Sequence, residues 1–165
     1  MKTYRIGIIG CGNIAGKMAA TLGGMKNVSR YAVASRSREK AEAFAREWQF
    51  SKAYGSYEEL AEDPDVDLIY IATPHSEHYN HARLCILNGK PVLCEKAFTA
   101  NARQAEELLA LAREKKVFIT EAVWTRYMPL SRKIQELVEQ GVIGKPYTLS
   151  ANLGYVCLLY TSDAA

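Results

Sequence analysis

Residues Tyr4 to Ala15 read Y-R-I-G-I-I-G-C-G-N-I-A. A short apolar run, Ile6 to Ile9, breaks directly into Gly10-Cys11-Gly12. The segment that follows carries apolar residues at Ile14, Met18 and Leu22, spaced i, i+4, i+8. This is strand, tight glycine turn, helix. Backbone N–H groups at a helix N-terminus can hold a dinucleotide pyrophosphate only where no side chain blocks the approach. Gly10 is read as making the turn and Gly12 as leaving room for the phosphates, with Asn13 and Ile14 of the first helical turn also offered to the cofactor. Ala15 stands where a third glycine often stands, and a methyl group is the largest change that close helix-to-strand packing accepts there. The competing reading is a glycine-rich turn without a ligand, and the flanking strand and helix weigh against it.

The chain has 165 residues, 48% of them apolar and 24% charged, enough for one well-buried core with some chain left over. A net charge of +3, carried by scattered basic residues, points away from nucleic acid or an anionic membrane as a partner. No run approaches the ~20 apolar residues of a membrane span, and the apolar stretch after Lys2 and Arg5 is too short for a signal peptide. Cys11, Cys85, Cys94 and Cys157 form no C-x-x-C pair. A reducing, cytoplasmic setting is therefore expected, without a disulfide framework or structural zinc.

Strand and helix then alternate. Tyr31 to Ala34 reads as the second strand, with Ser35-Arg36-Ser37 at its tip. Ser37 is placed to cap a helix whose buried face is Ala41, Phe44, Ala45 and Trp48. Ser56 and Glu59 form a capping box for a short helix stopped by Asp63-Pro64. Asp67 to Ala72 is an apolar strand, Ser76 to Asn88 a helix closed by Gly89, and Val92 to Cys94 another strand. Ala102 to Lys115 is a helix with Ala105, Leu108, Leu109 and Ala112 on one face, followed by a strand at Val117 to Thr120. The pattern predicts an α/β fold, a Rossmann-type doubly wound parallel sheet, with ligands at the C-terminal ends of its strands. After Pro129 the pattern changes. Ser131 to Gln140 reads as one amphipathic helix, Gly141 and Gly144 break it, and Tyr147 to Tyr155 alternates like a strand beginning a new sheet.

The tip of the second strand predicts the cofactor. An acidic residue about 20 positions beyond the glycine turn would accept the ribose hydroxyls of NAD, and a basic one would accommodate the extra phosphate of NADP. Ser35, Arg36 and Arg38 stand there, with no carboxylate at Ser35, Arg36 or Ser37. A guanidinium pairs with phosphate through two hydrogen bonds, so NADP is favoured over NAD. Arg36 and Arg38 as plain solvated charges are the alternative.

Three further strand ends carry a resemblance. Thr73-Pro74-His75-Ser76-Glu77-His78, Glu95-Lys96-Ala97 and Glu121-Ala122-Val123-Trp124-Thr125-Arg126, taken with the glycine turn, resemble the glucose-fructose oxidoreductase and inositol dehydrogenase (Gfo/Idh/MocA) family. The run E-A-V-W-T-R-Y-M-P is most similar to the branch of dimeric dihydrodiol dehydrogenases and NADP-dependent xylose dehydrogenases. The resemblance spans about residues 3 to 156. It implies that Lys96 contacts the reacting hydroxyl and the nicotinamide ribose. It also implies that Ala72, Thr73, Pro74, His78 and Glu95 line the cofactor cleft, with Trp124 and Arg126 near the nicotinamide. Ala97 departs from the family, which usually has proline there, and loosens the turn that carries Lys96. His75, His78 and His81 recur at i, i+3, i+6, but only neighbours share a helix face, so no metal site is expected.

The expectation is thus the N-terminal, NADP-binding part of an oxidoreductase moving a hydride between a nicotinamide and a sugar, polyol or diol. The alternative is a non-catalytic nucleotide sensor of the same fold. A dinucleotide-binding domain is expected over 1–122 and the truncated start of a second α+β substrate domain over 123–156. The resemblance implies a homo-oligomer for the whole protein. Cys157 to Ala165, C-L-L-Y-T-S-D-A-A, fits nothing before it and reads codon for codon as a translated transposon-type sequencing adapter, a non-native tail.

Overall fold

The computed structural model describes residues 2–152 and 154, in two compact units, one running to Val123 and one starting at Trp124. The first unit alternates β1 (Tyr4–Ile9), α1 (Asn13–Gly23), β2 (Val28–Ala34), α2 (Arg38–Trp48), β3 (Lys52–Tyr54) and α3 (Tyr57–Glu62). It continues through β4 (Leu68–Ile71), a 3-10 turn at His75–Glu77, α4 (His78–Leu87), β5 (Val92–Cys94), α5 (Ala102–Lys115) and β6 (Ile119–Glu121). All six strands run parallel, in the order β3-β2-β1-β4-β5-β6. The order reverses between β1 and β4, which is where open sheets of this kind part at their C-terminal edge.

Both faces of the sheet are covered, which is why its central strands read as continuous apolar runs rather than alternating ones. Successive side chains go to opposite faces. Ile9, Ile69 and Ile71 pack with Leu60 of α3, Ile86 of α4 and Leu108 of α5. Ile8, Val33 and Tyr70 pack with Ala15, Ala19 and Leu22 of α1 and Phe44 of α2. The buried stripe of α1 is Ala15, Ala19 and Leu22, one position round from the Ile14-Met18-Leu22 spacing that marked it as a helix. Small residues let this helix lie close on the sheet, and Ile14 stays exposed at its start. On α5 the stripe runs through Leu108 and Ala112, leaving Leu109 exposed.

The expected caps form. Ser37 Oγ accepts from Lys40 N–H at 3.3 Å and Ser56 Oγ from Glu59 N–H at 3.1 Å. The Glu59 carboxylate reaches Gly55 N–H at 3.1 Å, one residue before the usual reciprocal partner. The helix expected from Ser76 begins instead as the 3-10 turn, with Glu77 N–H donating to Pro74 O at 2.9 Å. Strand β3 has no counterpart in the sequence reading, because three residues carry no periodicity. Its pairing of Ala32, Val33 and Ala34 with Lys52, Ala53 and Tyr54 creates it.

At the N-terminal edge of the sheet, Asp63 ties β3 to the α3–β4 loop. Burial alone would raise its carboxyl. Donation from Tyr54 Oη at 2.6 Å, Asp65 N–H at 2.9 Å and Lys52 Nζ at 3.0 Å outweighs burial and holds it at about 2, below its ordinary 3.8. A carboxyl depressed in the folded state adds stability above its unfolded pKa, and that stability is lost as pH falls through the folded one. Asp63 is therefore expected to contribute on the order of 2 kcal/mol near neutrality. The stability gap between the wild-type chain and Asp63→Asn should shrink as urea unfolding is repeated from about pH 5 towards about pH 2; a gap constant with pH would contradict this.

The second unit opens with a 3-10 turn at Trp124–Tyr127 and continues as α6 (Pro129–Glu139), Pro129 lying in its first turn as helix starts favour. Leu130, Ile134 and Val138 form its apolar stripe and are exposed among the described residues. Residues 147–152, expected as the opening of a strand, are not one. A strand exists only through its ladder, and no described segment pairs with this one. Leu153, Tyr155 and Val156 of that expectation, and the whole tail from Cys157, lie outside the described residues.

Candidate functional site

The glycine turn sits against the end of β4. Gly10 has φ +104°, and a Cβ there would come within 2.7 Å of Ala72 O. Gly10 N–H also donates to Ala34 O at 2.9 Å, so the turn is stitched between β2 and β4. Gly12 differs in kind. It is the residue before α1, a Cβ on it would meet nothing within 4 Å, and it gives the helix no side-chain cap. The first turn, with Asn13 and Ile14, carries no acidic residue, so no carboxylate of its own competes for its leading N–H groups. A cavity of about 370 Å³ continues from Cys11, Gly12 and Asn13 along Gly16 to Phe44 and Trp48 of α2. Burial pushes the Cys11 thiol up to about 11, which leaves it a packing group rather than a nucleophile.

At the tip of β2, Ser35 Oγ accepts from Ser37 N–H at 3.3 Å and Arg36 is exposed. Burial raises the Tyr57 hydroxyl, and the neighbouring Arg36 charge pulls it back down. The Tyr57 ring meets the edge of His81 with centroids 4.5 Å apart, and His81 Nδ1 lies 2.9 Å from Thr73 Oγ1. Burial pushes the His81 imidazole down, with Glu77 opposing. Tyr57, His81 and Thr73 thus form a row that ends at the β4 tip. Arg38 lies outside it, paired with Glu42 at 3.2 Å one helical turn on.

Lys96 is exposed at the end of β5, and every residue around it is tied down. Glu95 N–H donates to Ile71 O at 3.0 Å. One oxygen of its carboxylate accepts from Tyr70 Oη and the other from Lys96 N–H at 3.1 Å. Tyr70 is 2% exposed, and its burial and then the carboxylate drive its phenol well above the ordinary value. Phe98 N–H donates to Glu121 Oε1 at 2.9 Å. Ala97 O lies 2.7 Å from His78 Nδ1.

His78, expected to line the cofactor cleft, is buried against the protein. It is 0% exposed, and its other ring nitrogen, Nε2, lies 2.9 Å from Thr73 O. Each ring nitrogen thus faces a backbone carbonyl. Among the described residues no group of three His, Cys, Asp or Glu side chains converges to hold a metal ion. The structure brings Gly10, Gly12, Asn13, Ala72 and Thr73 together at the β1 and β4 ends, with Pro74 exposed beside them and Glu95 and Lys96 on the adjoining strand. Trp124 and Arg126 belong to the second unit. The sequence reading passed over Tyr57 and Tyr70, and it named His81 and Glu121 without giving them a supporting role. Tyr70 carried a signal, a hydroxyl inside an apolar strand that must find a partner; the contacts of the other three become visible only once distant strand ends meet.

The family model described as "Oxidoreductase family, NAD-binding Rossmann fold" (GFO_IDH_MocA) matches residues 4–123. The chain is 41% identical over 153 residues to mouse trans-1,2-dihydrobenzene-1,2-diol dehydrogenase, covering 92% of this chain and 46% of that protein. It is 52% identical over 126 residues to the NADP(+) D-xylose 1-dehydrogenase of Hypocrea jecorina, covering 74% of this chain and 32% of that protein. The chain thus spans less than half the length of these curated relatives. Among solved structures, an NAD-binding oxidoreductase from Klebsiella pneumoniae superposes with a TM-score of 0.79 at 33% identity, over 87% of this chain and 40% of that one. KijD10, a 3-ketoreductase from Actinomadura kijaniata solved with NADP, gives 0.78 at 31%, over 87% and 46%.

Proposed function

The chain belongs to the Gfo/Idh/MocA oxidoreductase family with the NAD-binding Rossmann fold, and from that premise we propose that it is the cofactor-holding part of an NADP(H)-dependent dehydrogenase acting on a sugar, polyol or diol. The observation that carries the reading is the open α1 N-terminus over Gly12, flanked by the exposed guanidinium of Arg36. A dinucleotide needs both features, a row of free N–H donors for the diphosphate and a cation for the ribose phosphate. In this reading residues 1–122 form the dinucleotide-binding domain and 123–156 begin the domain that handles substrate.

The bound nicotinamide would supply the hydride chemistry. The protein's own part is binding and proton handling. The N–H groups of Asn13 and Ile14 hold the diphosphate, Arg36 and Ser35 the ribose phosphate with Arg38 adding charge nearby, and Ala72, Thr73, Pro74 and Glu95 line the cleft. Lys96 takes or returns the proton of the substrate hydroxyl. That role favours an enzyme over a nucleotide sensor, which has no use for a proton-handling lysine at this position. We also take the whole protein to self-associate and to work in the cytoplasm, as the family resemblance and the unpaired Cys11, Cys85 and Cys94 suggest.

Arg36 provides the test. Arg36→Ala is expected to cost about 1.5 to 3 kcal/mol of NADP affinity, the scale of a charge-assisted hydrogen bond, and to leave NAD affinity nearly unchanged. Calorimetric titration of both cofactors checks it. Equal affinity for the two before the change, or equal losses after it, would sink the assignment.

A further inference from the structure

Taking Lys96 as the proton-handling residue, we propose that His78 is a positioning residue that locks the Lys96 turn to the cofactor-cleft loop after β4. Its buried imidazole lies 2.7 Å from Ala97 O through Nδ1 and 2.9 Å from Thr73 O through Nε2. The rigid ring sits wedged between the two carbonyls with a nitrogen against each, so the two segments cannot move independently while both contacts stand. Buried polar bonds of this kind are costly to break, since the freed groups find no water.

The bridge joins two segments distant in sequence that need to agree in position. On one side, Thr73 is held a second time, its hydroxyl 2.9 Å from Nδ1 of His81, one turn further along α4. On the other, the Lys96 turn is pinned before the lysine by Tyr70 on Glu95 and after it by Glu121 on Phe98 N–H. The backbone of Lys96 is thereby fixed on both sides, and only the torsions of its own side chain remain free. This supplies in side-chain contacts the restraint that a proline at position 97 would give through its ring. Glu121 holds the lysine turn alone, whereas His78 holds both segments, and this asymmetry separates coupling from simple support.

The test compares His78→Gln with Glu121→Gln in the 165-residue chain by backbone amide hydrogen exchange. His78→Gln is expected to speed exchange about tenfold in both 73–77 and 96–99, with β1 unchanged. Glu121→Gln should do so in 96–99 only. Loosening of one segment alone by His78→Gln, or an equal rise throughout β1 as well, would overturn the coupling. Should His78→Gln fail to fold, the wild-type chain decides. Through-space proton contacts are expected from the His78 ring to the backbone of both 73–74 and 97–98, and contacts to only one of the two overturn the bridge. NADPH titration of the same samples reports on the cofactor assignment separately. A wild-type chain that binds NADPH while His78→Gln leaves exchange unaltered would remove the bridge and leave the cofactor site standing.

Discussion

Gly10→Ala is expected to destabilise the chain by about 2 to 4 kcal/mol, whereas Gly12→Ala should change stability by less than about 0.5 kcal/mol and yet weaken NADPH binding by about tenfold or more. The two glycines stand two residues apart in one motif, and different physics requires each. At Gly10 the backbone has φ +104° and a Cβ would be driven to 2.7 Å from Ala72 O, so alanine meets both conformational strain and a clash with main chain that cannot rotate away. At Gly12 the backbone is extended, with φ −90°, and a Cβ would meet no protein atom within 4 Å. Protein packing gives no reason for glycine there, and a ligand does, because the methyl group would occupy the approach to the α1 N–H groups. Urea unfolding followed by circular dichroism, with NADPH fluorescence titration of each variant, measures both effects. A Gly12→Ala chain that binds as tightly as the wild type would show that the open space over α1 is not where the diphosphate sits. A Gly10→Ala chain of wild-type stability would show that the turn relaxes to accommodate the methyl group.

The same contrast explains how much of this molecule was legible in its sequence. The parallel sheet, its helices and their caps follow from local signals. Apolar runs mark strands, Ser37 and Ser56 stand at N-caps, and the ends of α5 coincide with its periodic stretch. Which face of α1 is buried could not be read from size, because close packing on a sheet selects Ala15 and Ala19 over Ile14. The strand-end motifs do lie on the sheet's C-terminal edge, as their positions after β4, β5 and β6 show, but could not say which side chains face the protein. His78 shows the difference. A histidine beside a cleft motif reads as a ligand contact, and only the fold reveals two carbonyls within reach of its ring. The residues that support Lys96 come from β4, α4 and β6, brought together by crossover connections that no local pattern encodes.

Lys96→Met in the full-length gene product is expected to lower kcat by about a hundredfold to ten-thousandfold, the range that positioned proton transfer contributes. The NADPH dissociation constant should change far less, by about threefold or under, because the proposed site holds the diphosphate and ribose phosphate away from Lys96. Methionine keeps the length of the side chain and removes the ammonium, so a fall in kcat reports the lost proton rather than a lost contact of shape. Lys96→Arg sharpens the test. A guanidinium keeps the charge but does not release its proton, so it should leave NADPH binding near wild type and kcat low. Were Lys96→Arg to restore turnover, the lysine would be acting through its charge alone, by drawing the developing alkoxide towards it. Were Lys96→Met to leave kcat unchanged, proton handling would lie with another residue, and the tight backing of this turn by Glu95, Ala97 and Phe98 would serve the fold of the strand ends instead. The geometry favours the first outcome. Five polar contacts hold the turn beneath one exposed lysine whose side chain gives nothing back to the core, and such an arrangement is worthwhile where the ammonium must meet a reacting atom in a fixed place.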